Sequence, residues 1–217
     1  MPKKTAWVAG ASGLIGGHLV DLLSQHPDYQ KVVALVRKPC AAYWSTQPSV
    51  EQWVVDFPRL AKLIRQEPVD DLFCALGSTT RKTPDKKAYY QIDVQYPLDF
   101  AALGIGHGAR FYGLVSAYGA NPNSLSYYFK MKGELEQTIR QQAFNHIAIA
   151  QPGMLRGQRG EFRLAEKIGG QLASFLPGNY KAIQAKDVAA ALIQAANSGA
   201  QGTEILSSKF MQRAASL

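Results

Sequence analysis

The chain has 217 residues, 47% of them apolar and 18% charged, which is enough apolar content for one sizeable core and excludes the disordered classes. Its formal net charge of +8 is spread along the sequence, with one dense stretch at Arg81 to Lys87, so a solvated basic face is expected rather than a nucleic-acid partner. The apolar run at the N-terminus is too short for a secretory leader, no run approaches the roughly 20 apolar residues of a membrane helix, and Cys40, Cys74 and the four histidines have no metal-ligand spacing; a cytoplasmic protein with free thiols and no metal is expected.

In chain order, Lys4 to Ala9 is an apolar run that ends at a glycine, and Leu14, Ile15, Leu19, Leu22 and Leu23 then recur at helical spacing. This predicts strand, turn and helix. Further buried-strand runs are expected at Lys31 to Arg37, Gln52 to Phe57, Asp71 to Gly77, Phe111 to Ala117 and His146 to Gly153, with a helix over Tyr127 to Ala143 before the last of them. Strands joined by segments of crossover length predict an α/β fold, a doubly wound parallel sheet of the Rossmann type. The chain is expected to be a single domain, with a cofactor-binding core over 1–150 and a short substrate-side extension over 151–217.

The first turn reads Gly10-Ala11-Ser12-Gly13-Leu14-Ile15-Gly16. A G-x-x-G-x-x-G pattern alone is weak, but here it follows a strand and opens a helix, where backbone N–H groups and the helix dipole attract a pyrophosphate. Gly104, Gly106 and Gly108 form a similar pattern ahead of a strand instead, and are expected to end a helix and turn the chain. At the close of the second strand, Arg37 and Lys38 suit a 2′-phosphate better than a ribose hydroxyl, which favours NADP(H) over NAD(H). Asp56 is either an acceptor for an adenine amino group or an ordinary turn starter. The turn at Gly77, Ser78 and Thr79 reaches the same carboxyl edge of the sheet, where ligands of such sheets bind.

Ser116 closes the fifth strand, and the helix after it carries Tyr128 and Lys132, four apart and therefore on one face. An ammonium beside a phenol favours the phenolate, so Tyr128 is the expected proton donor or acceptor for a carbonyl/alcohol pair. Ser116 is expected to hold the same oxygen. Together with Gln151 to Gly153, these residues resemble the short-chain dehydrogenase/reductase superfamily. The stretches "VVDF", "CALGST" and "YYFKMKGELE" are similar to its atypical, Tat-interacting-protein-like branch. The resemblance implies a Rossmann fold, bound NADP(H), a Ser116–Tyr128–Lys132 group, Lys132 also on the cofactor ribose, and Pro152 and Gly153 near the nicotinamide amide. It departs from the superfamily at Asp93, which stands where many members carry an asparagine of the proton relay. The expected function is hydride transfer between nicotinamide and a small carbonyl or alcohol, by a monomer or homodimer. A cofactor-binding regulatory protein is the alternative.

Overall fold

The computed structural model describes residues 2–63, 67–156 and 183–214. Strands β1 (Lys4–Ala9), β2 (Tyr29–Val36), β3 (Val50–Val54), β4 (Asp71–Cys74), β5 (Phe111–Val115) and β6 (His146–Gln151) lie in one sheet. A short ladder pairs β7 (Leu155–Arg156) with β8 (Ile183–Gln184), and β9 (Gly202–Ser207) returns to the main sheet. Its order is β3-β2-β1-β4-β5-β6-β9, with every neighbouring pair parallel. The order reverses direction between β1 and β4, so their carboxyl ends open a crevice.

Helices cover both faces, which is why the central strands are apolar over most of their length, with polar residues such as Lys4, Asp71 and His146 at their amino ends. On one face, α1 (Leu14–Gln25) and α5 (Ala185–Ala196) pack on Ala6, Val8, Val32, Ala34 and Ala148. On the other, α3 (Tyr96–Gly106) and α4 (Tyr127–Ile139) pack on Trp7, Ala9, Val33, Leu35 and Ile149. Two further short α-helices are α2 (Lys86–Tyr90) and α6 (Ser208–Ala214). At the amino edge of the sheet, Lys4 Nζ meets Asp71 at 3.1 Å, the Ala196 carbonyl at 3.0 Å and Asn197 Oδ1 at 2.9 Å, while Tyr29 Oη donates to Asp71 at 2.5 Å. This network ties β1, β2 and β4 to the end of α5.

Three features differ from the sequence reading. β3 lies earlier than expected, because Asp56 starts a 3₁₀ turn over Phe57–Lys62 with a proline at its beginning, and proline cannot continue the ladder. Residues 91–95 form a π-helical step between α2 and α3. As expected, the stretch from Gly104 to Gly108 leads out of a helix: α3 ends at Gly106 and Gly108 turns the chain at φ +91°, whereas Gly104, still inside α3, is set by packing, since a methyl there would fall 2.0 Å from Leu72 Cδ1. Beyond Gly153, α5 and β9 join the core and the sheet. Residues 157–182 of the expected substrate-side extension lie outside the described residues.

Candidate active site

The glycine turn is shaped by contacts that exclude side chains. Gly10 has φ +83°, and a Cβ on it would lie 2.6 Å from the Ala75 carbonyl; a Cβ on Gly16 would lie 2.0 Å from the Gly10 oxygen. Gly13 N donates to Gly10 O at 2.9 Å and begins α1 without a side-chain cap, and no acidic residue occupies the first turn. The first N–H groups of the helix have no intrahelical partner and Gly13 has no side chain to cap them, which leaves a cradle suited to an anion. Ala11 and Ile15 are buried beneath it, Leu14 is half-buried and Ser12 is exposed. The cradle fits the diphosphate of a dinucleotide.

Beside it, Ser12, Arg37, Lys38, Pro39 and Cys40 line a cavity of about 370 Å³. The loop is pinned from β3: Cys40 N donates to Gln52 Oε1 at 2.9 Å, and Gln52 Nε2 donates back to Cys40 O at 3.0 Å. Asp56 stands apart from this cavity, exposed and 3.7 Å from Arg59.

The turn behind β4 is held by Asp93. Ser78 N donates to Asp93 Oδ2 at 2.7 Å, and Asp93 Oδ1 lies 3.0 Å from Lys132 Nζ, with both side chains 5% exposed or less. The second contact is a salt bridge inside the protein. A Cβ on Gly77 would be 3.5 Å from Asp93 and 3.9 Å from Lys132. Ser78 Oγ shares a hydrogen bond with Thr83 Oγ1 at 2.7 Å, and Thr79 Oγ1 accepts from Lys82 N at 3.2 Å. Sequence and structure thus bring Gly77, Ser78 and Lys132 together.

Tyr128 is half-buried one turn before Lys132. Burial raises its phenol above the ordinary value of 10.0; Lys132 pulls it back part of the way and Asp93 pushes it up. The lysine acts in the expected direction, but burial prevails. Burial alone would lower the Lys132 ammonium, yet Asp93 and Tyr128 more than reverse this and hold it above 10.5.

Ser116 is turned elsewhere. Its Oγ donates to Glu136 Oε1 at 2.5 Å, and Glu136 also receives Gln151 Nε2 at 2.9 and 3.0 Å and Arg140 at 3.1 Å. Pro152 and Gly153 are buried; the Pro152 carbonyl accepts from Tyr118 N, and Gly153 N donates to Ser208 Oγ at 2.8 Å. Sequence reasoning missed Glu136, Gln52 and Ser208. Glu136 carried a signal, four residues after Lys132 and so on the same helix face; Gln52 and Ser208 act only through long-range contacts and carried none.

The chain matches the model of the NAD(P)H-binding family over residues 10–199. It is 29% identical to the rat protein HTATIP2 over 214 residues, 96% of this chain and 88% of that one. It is 30% identical to the mitochondrial protein FMP52 of Candida albicans over 208 residues, 91% and 90% of the two chains. Among solved structures, an oxidoreductase of the short-chain dehydrogenase/reductase family from Burkholderia thailandensis superposes with a TM-score of 0.72 at 20% identity, covering 98% of this chain and 94% of that one.

Proposed function

Because the chain belongs to the NAD(P)H-binding family, within the atypical short-chain dehydrogenase/reductase branch of Tat-interacting-protein-like proteins, we propose that it is an NADP(H)-dependent oxidoreductase of a small carbonyl or alcohol. The carrying observation is the juxtaposition of Tyr128, Lys132 and the Gly77–Ser78 turn above the glycine cradle. Gly10 to Gly16 would hold the diphosphate, and the turn at Gly77, Ser78 and Thr79, at the same carboxyl edge of the sheet, would contribute to the rest of the cofactor site. When bound, the nicotinamide supplies or accepts a hydride. Lys132 holds the ribose, and Tyr128 gives or takes the proton at the substrate oxygen. Ser116 donates its hydrogen to Glu136, so its Oγ is free to accept from the hydroxyl of an alcohol substrate, and it donates to a carbonyl oxygen only after rotating away from the carboxylate.

Support for NADP(H) over NAD(H) comes from Arg37 and Lys38 on a cavity with no carboxylate among its lining residues, since a guanidinium fork matches a phosphate dianion. Asp56 remains a candidate for the adenine amino group and Pro152–Gly153 for the amide pocket. Among the described residues there is no cluster of metal-ligating side chains and no helix long and apolar enough to cross a membrane.

The test is Tyr128→Phe, assayed with NADPH against a panel of small aldehydes and ketones. Cofactor affinity should stay near the parent value while turnover falls by about 10²–10⁴-fold, as on loss of a general acid. Turnover at the parent rate would reject the assignment and favour a cofactor-sensing role.

A further inference from the structure

Asp93 makes two contacts that no other described residue makes together. One oxygen takes the Ser78 backbone N–H at 2.7 Å, and the other lies 3.0 Å from Lys132 Nζ, inside the protein at 1% side-chain exposure. It comes from the π-helical step at residues 91–95, a local widening that sets the side chain between β4 and α4. Three separate pieces of chain, the turn after β4, the step before α3 and helix α4, meet on one carboxylate.

We propose that Asp93 is a positioning residue, tying Lys132 to the cofactor-side turn and keeping Tyr128 in its proton-bearing form, so that the site is set to give a proton to a carbonyl oxygen. The inference rests on the oxidoreductase reading above. An isolated ammonium four residues from a phenol would favour the phenolate. Here the carboxylate offsets that ammonium at 3.0 Å, and the phenol faces a nearly neutral pair instead of a bare cation. The groups facing Tyr128 are Lys132 on its own helix, Asp93 on the π-helical step and Tyr89 on α2. Cys74 on β4 lies beside Lys132 and Asp93, its thiol pushed up by burial. Among these groups, Lys132 alone favours the phenolate. In the proton step the Tyr128 O–H bond breaks, an O–H bond forms on the substrate oxygen, and the tyrosinate then regains a proton from solvent.

The experiment needs no substrate. Protein labelled with ¹³Cζ-tyrosine is titrated by NMR, Tyr128→Phe identifying the resonance, in the parent, Asp93→Asn and Asp93→Ala. In the parent, tyrosinate at position 128 should form above the ordinary tyrosine range; formation below pH 10 would overturn the proposal even if neither variant folds. In Asp93→Asn, whose side-chain oxygen still accepts from Ser78 N, tyrosinate should form about 1 to 3 pH units lower than in the parent, and NADPH affinity should fall less than in Asp93→Ala. An unchanged or higher midpoint overturns the electrostatic role. Asp93→Ala should in addition weaken NADPH binding, because the Ser78 N–H loses its acceptor; an affinity equal to that of Asp93→Asn overturns the tie to the turn. Failure of the carbonyl-reductase reading is registered by Tyr128→Phe turnover, a separate measurement from this titration.

Discussion

Ser116 Oγ donates to Glu136 Oε1 at 2.5 Å, joining the end of β5 to the inner face of α4. Gln151 Nε2 and Arg140 converge on the same carboxylate. Glu136→Ala would leave these donors without their acceptor inside the protein, at a cost of about 2–3 kcal/mol. Glu136→Gln, which keeps an oxygen in place, should cost about 1 kcal/mol. Urea unfolding at constant m-value measures both, and an alanine variant as stable as the parent would show that the network holds nothing together.

The cavity at Arg37 gives a cofactor test. Arg37→Asp replaces a charge-assisted contact by repulsion and should weaken NADPH about 10- to 100-fold, the equivalent of the roughly 1.5–3 kcal/mol of a hydrogen bond to a charged group. NADH should change by no more than about threefold, since it lacks the 2′-phosphate. Both titrations belong at one ionic strength. Equal losses for the two cofactors would remove Arg37 from the phosphate site.

Two adjacent glycines in α1 should respond in opposite ways. A methyl on Gly16 meets backbone 2.0 Å away, whereas on Gly17 the nearest atoms are Ala11 O and Trp44 Nε1 at 3.7 Å. Gly16→Ala should therefore destabilise by about 1–3 kcal/mol through overpacking and weaken NADPH binding. Gly17→Ala should stabilise by about 0.5–1 kcal/mol, because alanine restricts the unfolded chain and suits a helix. Thermal unfolding with and without NADPH distinguishes the pair.

Alkali should unfold the protein cooperatively. Burial raises the phenols of Tyr29, Tyr89, Tyr90, Tyr96, Tyr112 and Tyr128 above 10.0. Past pH 10 the unfolded chain loses these protons while the native chain keeps them, so the native state binds more protons and stability falls as pH rises. Tyrosinate absorbance should appear together with loss of near-UV circular dichroism; a gradual rise with the dichroism intact would contradict this. At neutral pH, Tyr29→Phe should cost about 1.5–3 kcal/mol, because it removes the hydrogen bond to the Asp71 carboxylate.

The parts of this molecule that were legible in the sequence are those where a local pattern has one structural solution. β1, the glycine turn and α1 read directly, because an apolar run, glycines and a helical repeat follow in that order. β3 was misplaced because Trp53, Val54 and Val55 read as a buried apolar run that continues to Phe57, although Val54 is 54% exposed on an edge strand and Asp56 already belongs to the next turn. The π-helical step at "QIDVQ" breaks no periodicity visible in the residues. The Ser116–Glu136 bond spans 20 positions, and no local rule announces which way a serine hydroxyl turns. Likewise, the phenol of Tyr128 is governed by how deeply it is buried, which spacing to Lys132 does not reveal.

The position of β9 has a consequence for how the chain is made. β6 is paired with β5 on one side and with β9 on the other, so on the ribosome its outer row of N–H and C=O groups stays open until residues 202–207 have been synthesised. An unpaired parallel edge is a template for a neighbouring chain, and such late, non-local closure slows folding. Nascent chains halted before β9 should therefore aggregate or engage chaperones, while release of the last strand caps the sheet.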